Sequence, residues 1–324
     1  MKSQTRYLCR RFAQAVFLVL AIACINFAVL HLAPGDAVDV LAGQAGAADP
    51  AYLAELRHSY GLDQPVYLQL VHYLWNVAHL RFGFAFQYNA PVLEVIVERL
   101  PATLLLMITS LVCALIGGVL LGVAAARRVG TRWDALISVI ALIGYATPLF
   151  WLGLMLIVLF SVKLDLLPSG GMATIGGAMA PVERILDVAR HLLLPAATLA
   201  LFYMATYTRL MRAQMLQVFD LEFVRTARAK GLSKTRIAYR HVLRNAVLPL
   251  LSLFGVQVGS ILGGSVVVEV VFGWPGLGRL AFDAIGQRDV NLLMGILFFC
   301  SILVILVNLV VDLLYVQLDP RIEL

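Results

Sequence analysis

Residues 220 to 249 read DLEFVRTARAKGLSKTRIAYRHVLRNAVLP, a polar, basic stretch inside an otherwise apolar chain. Asp220 is expected to cap a short helix by accepting from the free N–H groups at its start. That helix runs to Lys230 and closes at Gly231, because glycine takes the left-handed closing conformation without a Cβ clash. Ser233 then caps a second basic helix that ends before Pro249. Leu221, Val224 and Ala227 or Arg228 follow 3-4 spacing, with Phe223 beside them. Ala227, Ala229 and Gly231 are small, so this helix end could enter a cleft closely. Two readings stay open: a contact for a soluble partner, or a basic loop that only joins two membrane helices.

The surroundings decide what kind of chain carries the stretch. Of 324 residues, 61% are hydrophobic and 14% charged, and the mean hydropathy is +0.89. That is too much apolar surface for a soluble globule of this size, which makes the chain an all-α, multi-pass membrane protein. The basic pI of about 9.3 does not imply nucleic acid, because charge sign follows position along the chain as it does in membrane proteins. Cys9, Cys24, Cys113 and Cys300 are scattered without CxxC spacing and suggest neither disulfides nor a metal cage.

Six transmembrane helices are expected, at about 12–32, 102–125, 136–162, 192–211, 250–272 and 292–314. The first follows Lys2, Arg6, Arg10 and Arg11 and is too long for a signal core, so it reads as a retained span. Gly144 and Pro148 should kink the third. Between the first two lies a region to about Leu100 in which Asp49-Pro50 opens a short helix ending at Gly61. Asp63 and Pro65 open an amphipathic one bearing Tyr67, Tyr73 and Trp75. This region reads as a small subdomain on the helix ends or as a docking rim. The expected organisation is 1–100 for the first helix and that region, 101–319 for a five-helix core with the polar loop 212–249, and 320–324 for a tail.

Six spans put both termini on one side. Seventeen Lys and Arg fall on that side, within the N-terminus, the loops after the second and fourth helices, and the tail, against eight on the other. The positive-inside rule therefore makes both termini and the 220–249 stretch cytoplasmic.

Catalytic chemistry is not evident. No Gly-x-x-x-x-Gly-Lys-Ser/Thr occurs, so nucleotide phosphates have no usual cradle. Gly273-Trp274-Pro275-Gly276-Leu277-Gly278 follows a membrane helix, not a Rossmann strand, and suits a turn at the membrane edge or an outer gate. His72 and His79 lie seven apart, but no second ligand pair supports a metal. Polar residues within spans are costly and therefore informative. Gln257 and Glu269, on the helix directly after the basic stretch, are candidate pathway or gate residues with Trp274; the plainer reading is hydrogen bonding between helices.

Several segments together resemble the permeases of ABC importers of the dipeptide/oligopeptide/nickel branch: EFVRTARAKGL…RHVLRNAVLP, LHLAPGDAV, YGLDQPVYLQ, PVLEVIVERLPATLLL, VVVEVVFGWPGLG and LDPRI. The match is to this branch more than to the general importer pattern, because Arg225-Thr226-Ala227 stands where that pattern has Glu-Ala-Ala. Leu80-Arg81-Phe82-Gly83 likewise replaces a Gly-Asp-Leu-Gly-like turn.

The resemblance implies the type I ABC importer permease fold in a bacterial inner membrane and a non-catalytic role. It also implies a complex with a second, homologous permease, two cytoplasmic ATPases that hold ATP and Mg, and an extracytoplasmic solute-binding protein. Within the coupling helix and turn it points to Glu222, Arg225, Thr226, Ala227, Arg228, Ala229, Lys230, Gly231 and Leu232 as the ATPase contact. Arg225, Arg228 and Lys230 would pair with acidic or carbonyl groups around an ATPase cleft, and the small residues would permit close approach. Peptides and nickel chelates remain open as substrates. The competing class is a self-contained channel or secondary transporter, which would show facing ionisable residues or an inverted repeat.

Overall fold

A computed structural model describes residues 2–32, 58, 63–176 and 180–318. The expected Asp49-Pro50 helix to Gly61 and the tail 320–324 lie outside the described residues. The chain divides into two compact units, one of residues 1–100 with 280–306, the other of 101–279 with the end of the last helix.

In the first unit, α1 (Lys2–Leu32) continues its helix through the basic N-terminal residues. Pro65 sets the entry to α2 (Val66–Ala78), as its fixed φ favours. The amphipathic face behaves as its pattern requires: Tyr73, Leu74 and Val77 pack with Ala23 of α1 and with Phe298, while Tyr67 and Trp75 stay exposed. The aromatic run that follows is not an α-helix, and its middle, Phe86–Tyr88, is a single 3-10 turn. It forms a two-stranded hairpin, β1 (Phe84–Ala85) with β2 (Ala90–Pro91), a small exception to the all-α expectation. Gly83 (φ +88°) and Asn89 (φ +49°) take the left-handed conformation beside it. Phe82 packs on Phe298 and Phe299 at ring separations of 5.5 and 5.4 Å.

The long helices exceed a bilayer. α3 (Val92–Arg127) has 36 residues, about 54 Å of helix at ~1.5 Å per residue, and α6 (Pro181–Phe219) has 39. Both therefore start earlier than their apolar cores predict, and each carries an internal proline, Pro101 or Pro195, without breaking. A proline there frees one carbonyl that neighbouring groups can satisfy.

Between them the expected third span is interrupted. α4 (Arg132–Ala146) and α5 (Leu149–Leu156), the latter continuing as a π-helical turn Ile157–Lys163, meet at 107°. The predicted kink is thus a full break. Pro148 supplies no N–H and forces Thr147 into extended geometry (ψ 128°), so the ladder stops there. Two more helices long enough to span follow, α8 (Leu248–Val271) and α10 (Val290–Leu318), with α9 (Leu277–Gln287) between them. Among the described residues, counting the broken pair as one span gives six helices long and apolar enough to cross a membrane.

Glycine allows the central packing of the second unit. Gly118 and Gly122, one turn apart on α3, let that helix meet α6 at Tyr207, Thr208 and Met211. A Cβ on Gly122 would sit 2.5 Å from the Met211 Cβ and 2.8 Å from the Thr208 carbonyl oxygen. This is the small-xxx-small device of membrane helices. Gly122→Val is expected to lower the thermal midpoint of the detergent-extracted chain, at an overpacking cost of about 2 kcal/mol. Gly263→Ala, where no atom lies within 4 Å of the added Cβ, should leave the midpoint unchanged in the same measurement.

Candidate functional site

The basic stretch forms a short exposed helix held at both ends. α6 runs to Phe219 and its helical geometry persists through Asp220 (φ −86°, ψ −7°), whose N–H bonds back to the Gln217 carbonyl, while the Leu221 N–H bonds to that of Val218. Asp220 therefore closes α6 and does not open the next helix. The extended N-cap residue of α7 (Glu222–Ala229) is Leu221, with no side-chain cap. Asp220 comes one residue too early in the chain to cap α7.

The other end matches the sequence reading. Gly231 has φ +73°, its N–H donates to the Arg228 carbonyl at 3.0 Å, and the Leu232 N–H reaches back to Ala227 at 3.3 Å. This is a Schellman-type closure. Ser233 then accepts from the Arg236 N–H at 3.3 Å. The helical run 234–246 is not a plain α-helix, since Ile237–Val242 is π-helical. That run ends at Ala246, before Pro249 as expected, and Pro249 falls in the first turn of α8; a proline there lacks only an N–H that the first turn leaves unbonded anyway.

Burial sorts the predicted contact residues. Val224 and Ala227 turn inward, and α7 packs on the π-helical segment, where Ile237, Ala238 and Val242 are buried. Glu222, Arg225, Thr226, Arg228, Ala229, Lys230 and Gly231 are exposed, and Leu232 is half-buried. Ala227 thus helps seat the helix and lies off its outer face. Arg225 donates to Glu222 at 2.8 Å across one turn. The exposed surface also includes Leu221 and Phe223, 49% and 39% exposed. They are apolar side chains in a polar stretch, and Leu221 shares the 3-4 spacing of Val224 and Ala227 without being buried with them.

Glu269 and Trp274 meet in a buried knot with Thr103. One Glu269 carboxylate oxygen accepts from the Thr103 hydroxyl at 2.9 Å, the other from the Arg279 N–H at 2.9 Å. The Thr103 hydroxyl oxygen accepts from the Leu277 N–H at 2.7 Å, and the Trp274 indole N–H donates to the Ala102 carbonyl at 2.9 Å. Glu269, Thr103 and Trp274 are each 0% exposed.

The carboxylate occupies the N-terminal end of α9, where free N–H groups and the helix dipole favour an anion. Gly276 and Gly278 leave room for it: a Cβ on Gly276 would lie 2.5 Å from the carboxylate, one on Gly278 2.9 Å from its oxygen. The Gly-Trp-Pro-Gly-Leu-Gly turn thus wraps a carboxylate of its own chain. Gln257, half-buried, is twelve residues earlier on α8, about 18 Å along the helix, and is not part of this knot. Among the described residues no three His, Cys, Asp or Glu groups come together, and the His79 ring bonds the Trp75 carbonyl at 2.8 Å.

Removing the Glu269 carboxylate strands a buried hydroxyl and a helix terminus. Glu269→Ala is expected to destabilise the chain by about 3 kcal/mol. Glu269→Gln, which keeps one acceptor, should lose less, both read as thermal midpoints in detergent.

Comparison with known proteins agrees along the whole chain. The family described as binding-protein-dependent transport system inner membrane component matches residues 118–324, and its N-terminal counterpart matches residues 4–107. An oligopeptide transport system permease protein, AppB of Bacillus subtilis, is 40% identical over 319 residues, covering 98% of this chain and 99% of its own. A dipeptide transport system permease protein, DppB of Escherichia coli K12, is 37% identical over 335 residues, covering 98% of both. A di/tripeptide transport system permease protein, DppB of Pseudomonas aeruginosa, is 39% identical over 331 residues, 98% of both. Among solved structures, a chain of the inward-facing MetNI methionine ABC transporter superposes with a TM-score of 0.56 at 18% identity, over 70% of this chain and 97% of that one, a likeness of fold. With both parts of the family matched and relatives 37% to 40% identical over 98% of the chain, the chain belongs to the binding-protein-dependent transport system inner membrane components.

Proposed function

We propose that the chain is the transmembrane permease subunit of an ATP-driven, binding-protein-dependent importer of dipeptides and oligopeptides. It converts ATP hydrolysis on partner subunits into alternating access of a transmembrane pathway. The observation that carries the mechanism is α7: a short helix, seated on its own chain by Val224 and Ala227, closed at Gly231 and open on its other face. Its relatives' names supply the substrate class.

In this reading the 220–249 stretch and both termini face the cytoplasm, supported by the distribution of Lys and Arg. The permease pairs with a second, homologous permease chain, two cytoplasmic ATPases and an extracytoplasmic solute-binding protein. The chain is not itself an enzyme, and ATP and Mg belong to the ATPases. Residues 1–100 form the first span and the outer region, 101–319 the five-helix core containing the 212–249 coupling loop, and 320–324 the tail; the change of family match between 107 and 118 favours that division.

α7 inserts into an ATPase cleft with Glu222, Arg225, Thr226, Arg228, Ala229, Lys230 and Gly231 at the contact, beside Leu221 and Phe223. Closure of the ATPase pair moves it as a rigid body and rocks α6 and α8. Glu269 and Trp274 act in this cycle as the buried latch at the far end of α8, with Gln257 the pathway candidate.

Gly231 provides the test, because a Cβ there meets nothing within 4 Å. Substitution therefore acts through backbone strain and through what the side chain presents outward. Gly231→Trp is expected to cut ATP-dependent uptake of a di- and tripeptide mixture at least about tenfold at equal membrane abundance, while Gly231→Asn, which tolerates the left-handed conformation, should retain most of it. Normal uptake by the Trp variant would overturn the coupling role. Uptake by the wild type that survives ATP depletion would favour a self-contained channel or secondary transporter.

A further inference from the structure

Two side-chain ties join the turn between α3 and α4 to the basic segment on either side of α7. After α7, the guanidinium of Arg127, in the last turn of α3, donates to the Thr235 hydroxyl and to the Tyr239 hydroxyl, both at 3.2 Å. Its central carbon lies 5.1 Å from the Tyr239 ring centroid. Before α7, Arg212, two turns from the end of α6, makes a bidentate pair with Asp134 through Nε (2.6 Å) and Nη2 (2.8 Å).

The turn that holds these two groups is itself fixed. Thr131 accepts from the Asp134 N–H at 3.4 Å and so caps α4, the Gly130 N–H donates to the Asp134 carboxylate at 3.1 Å, and Gly130 takes φ +76°. Asp134 is buried. A bidentate, charge-assisted pair with one partner buried is the geometry in which an Arg–carboxylate contact is strong and directional.

We propose that residues 127–134 form a strap that moves with the motor contact and carries its displacement to α3 and the broken span α4–α5. Arg127 is the positioning residue of that strap. The inference rests on the permease reading above. α7 is joined covalently only to α6 and, through 234–246, to α8. The two ties add α3 and α4, so displacement of α7 drags four helices as one body. Rows of apolar contact alone would let α3 slide against the basic segment; a guanidinium gripping a ring and two hydroxyls does not. Arg127 cannot be replaced by Lys in this role, since an ammonium lacks the planar fork that spans Thr235 and Tyr239.

The test uses the assembled importer in liposomes, with a di- and tripeptide mixture followed by mass spectrometry and ATP hydrolysis measured in parallel. Arg127→Ala and Arg127→Lys are expected to lower the peptides imported per ATP hydrolysed about tenfold, with hydrolysis and recovery of the partner chains retained. Tyr239→Phe, which keeps the ring and loses the hydroxyl, should show a smaller loss. Thr235→Val combined with Tyr239→Phe carries the same test if the Arg127 variants fail to accumulate. A purely structural role would lower uptake and hydrolysis together and leave their ratio unchanged, and that outcome overturns the strap. A wild-type complex that brings no ATPase or imports no peptide overturns the permease reading, and the strap falls with it.

Discussion

Within an apolar layer each backbone N–H and C=O must find its partner in the chain, because no water is there to supply one. The architecture follows from that requirement. Long helices satisfy it on their own, as α3 and α6 do over more than the length of a bilayer crossing. Where the helices stop, something else must answer for the free groups. At the start of α9 it is the Glu269 carboxylate, contributed by the end of α8 and braced by Thr103, with Trp274 tied to Ala102 beside it. An ionisable residue in a span is explained here by the helix terminus it closes.

The basic stretch is built on the opposite principle. The left-handed Gly231 closes the end of α7 and Ser233 caps the helix after it, while the start of α7 carries no side-chain cap. Only Val224 and Ala227 anchor α7, and the remaining face stays open with charged residues and two apolar side chains together. A surface of that kind, closed on itself and exposed outward, suits contact with another chain. The ion pair of Asp134 with Arg212 and the grip of Arg127 on Thr235 and Tyr239 lie on the segments before and after it.

Much of this is legible in the residue order. The spans follow from apolar runs, the closure at Gly231 from glycine's freedom at positive φ, the cap at Ser233 from its hydroxyl, and the interruption near Pro148 from the missing N–H. Other features depend on neighbours distant in sequence. Asp220 looks like a cap by residue type, but the helix before it does not end in time. Ala227 looks like part of an outer contact face, yet the return of 234–246 beneath α7 turns it inward. The hairpin Phe84–Pro91 follows Phe82, which packs on Phe298 and Phe299 of α10, a contact between residues distant in sequence that local propensity does not contain.

The sequence by itself determined that this is a membrane chain with about six spans, a basic stretch between its fourth and fifth spans and the motifs of its family. Hydrophobic length, proline, glycine and the distribution of charge act locally or along the chain, and they can be read one segment at a time. The tertiary structure alone decided that Glu269 caps a helix together with Thr103, 166 residues away, that the third span breaks by 107° and is not merely kinked, and that Arg127 reaches the segment beyond α7. Hydrogen-bond geometry and close packing depend on which groups are brought within about 3 Å, and only the folded chain sets those distances.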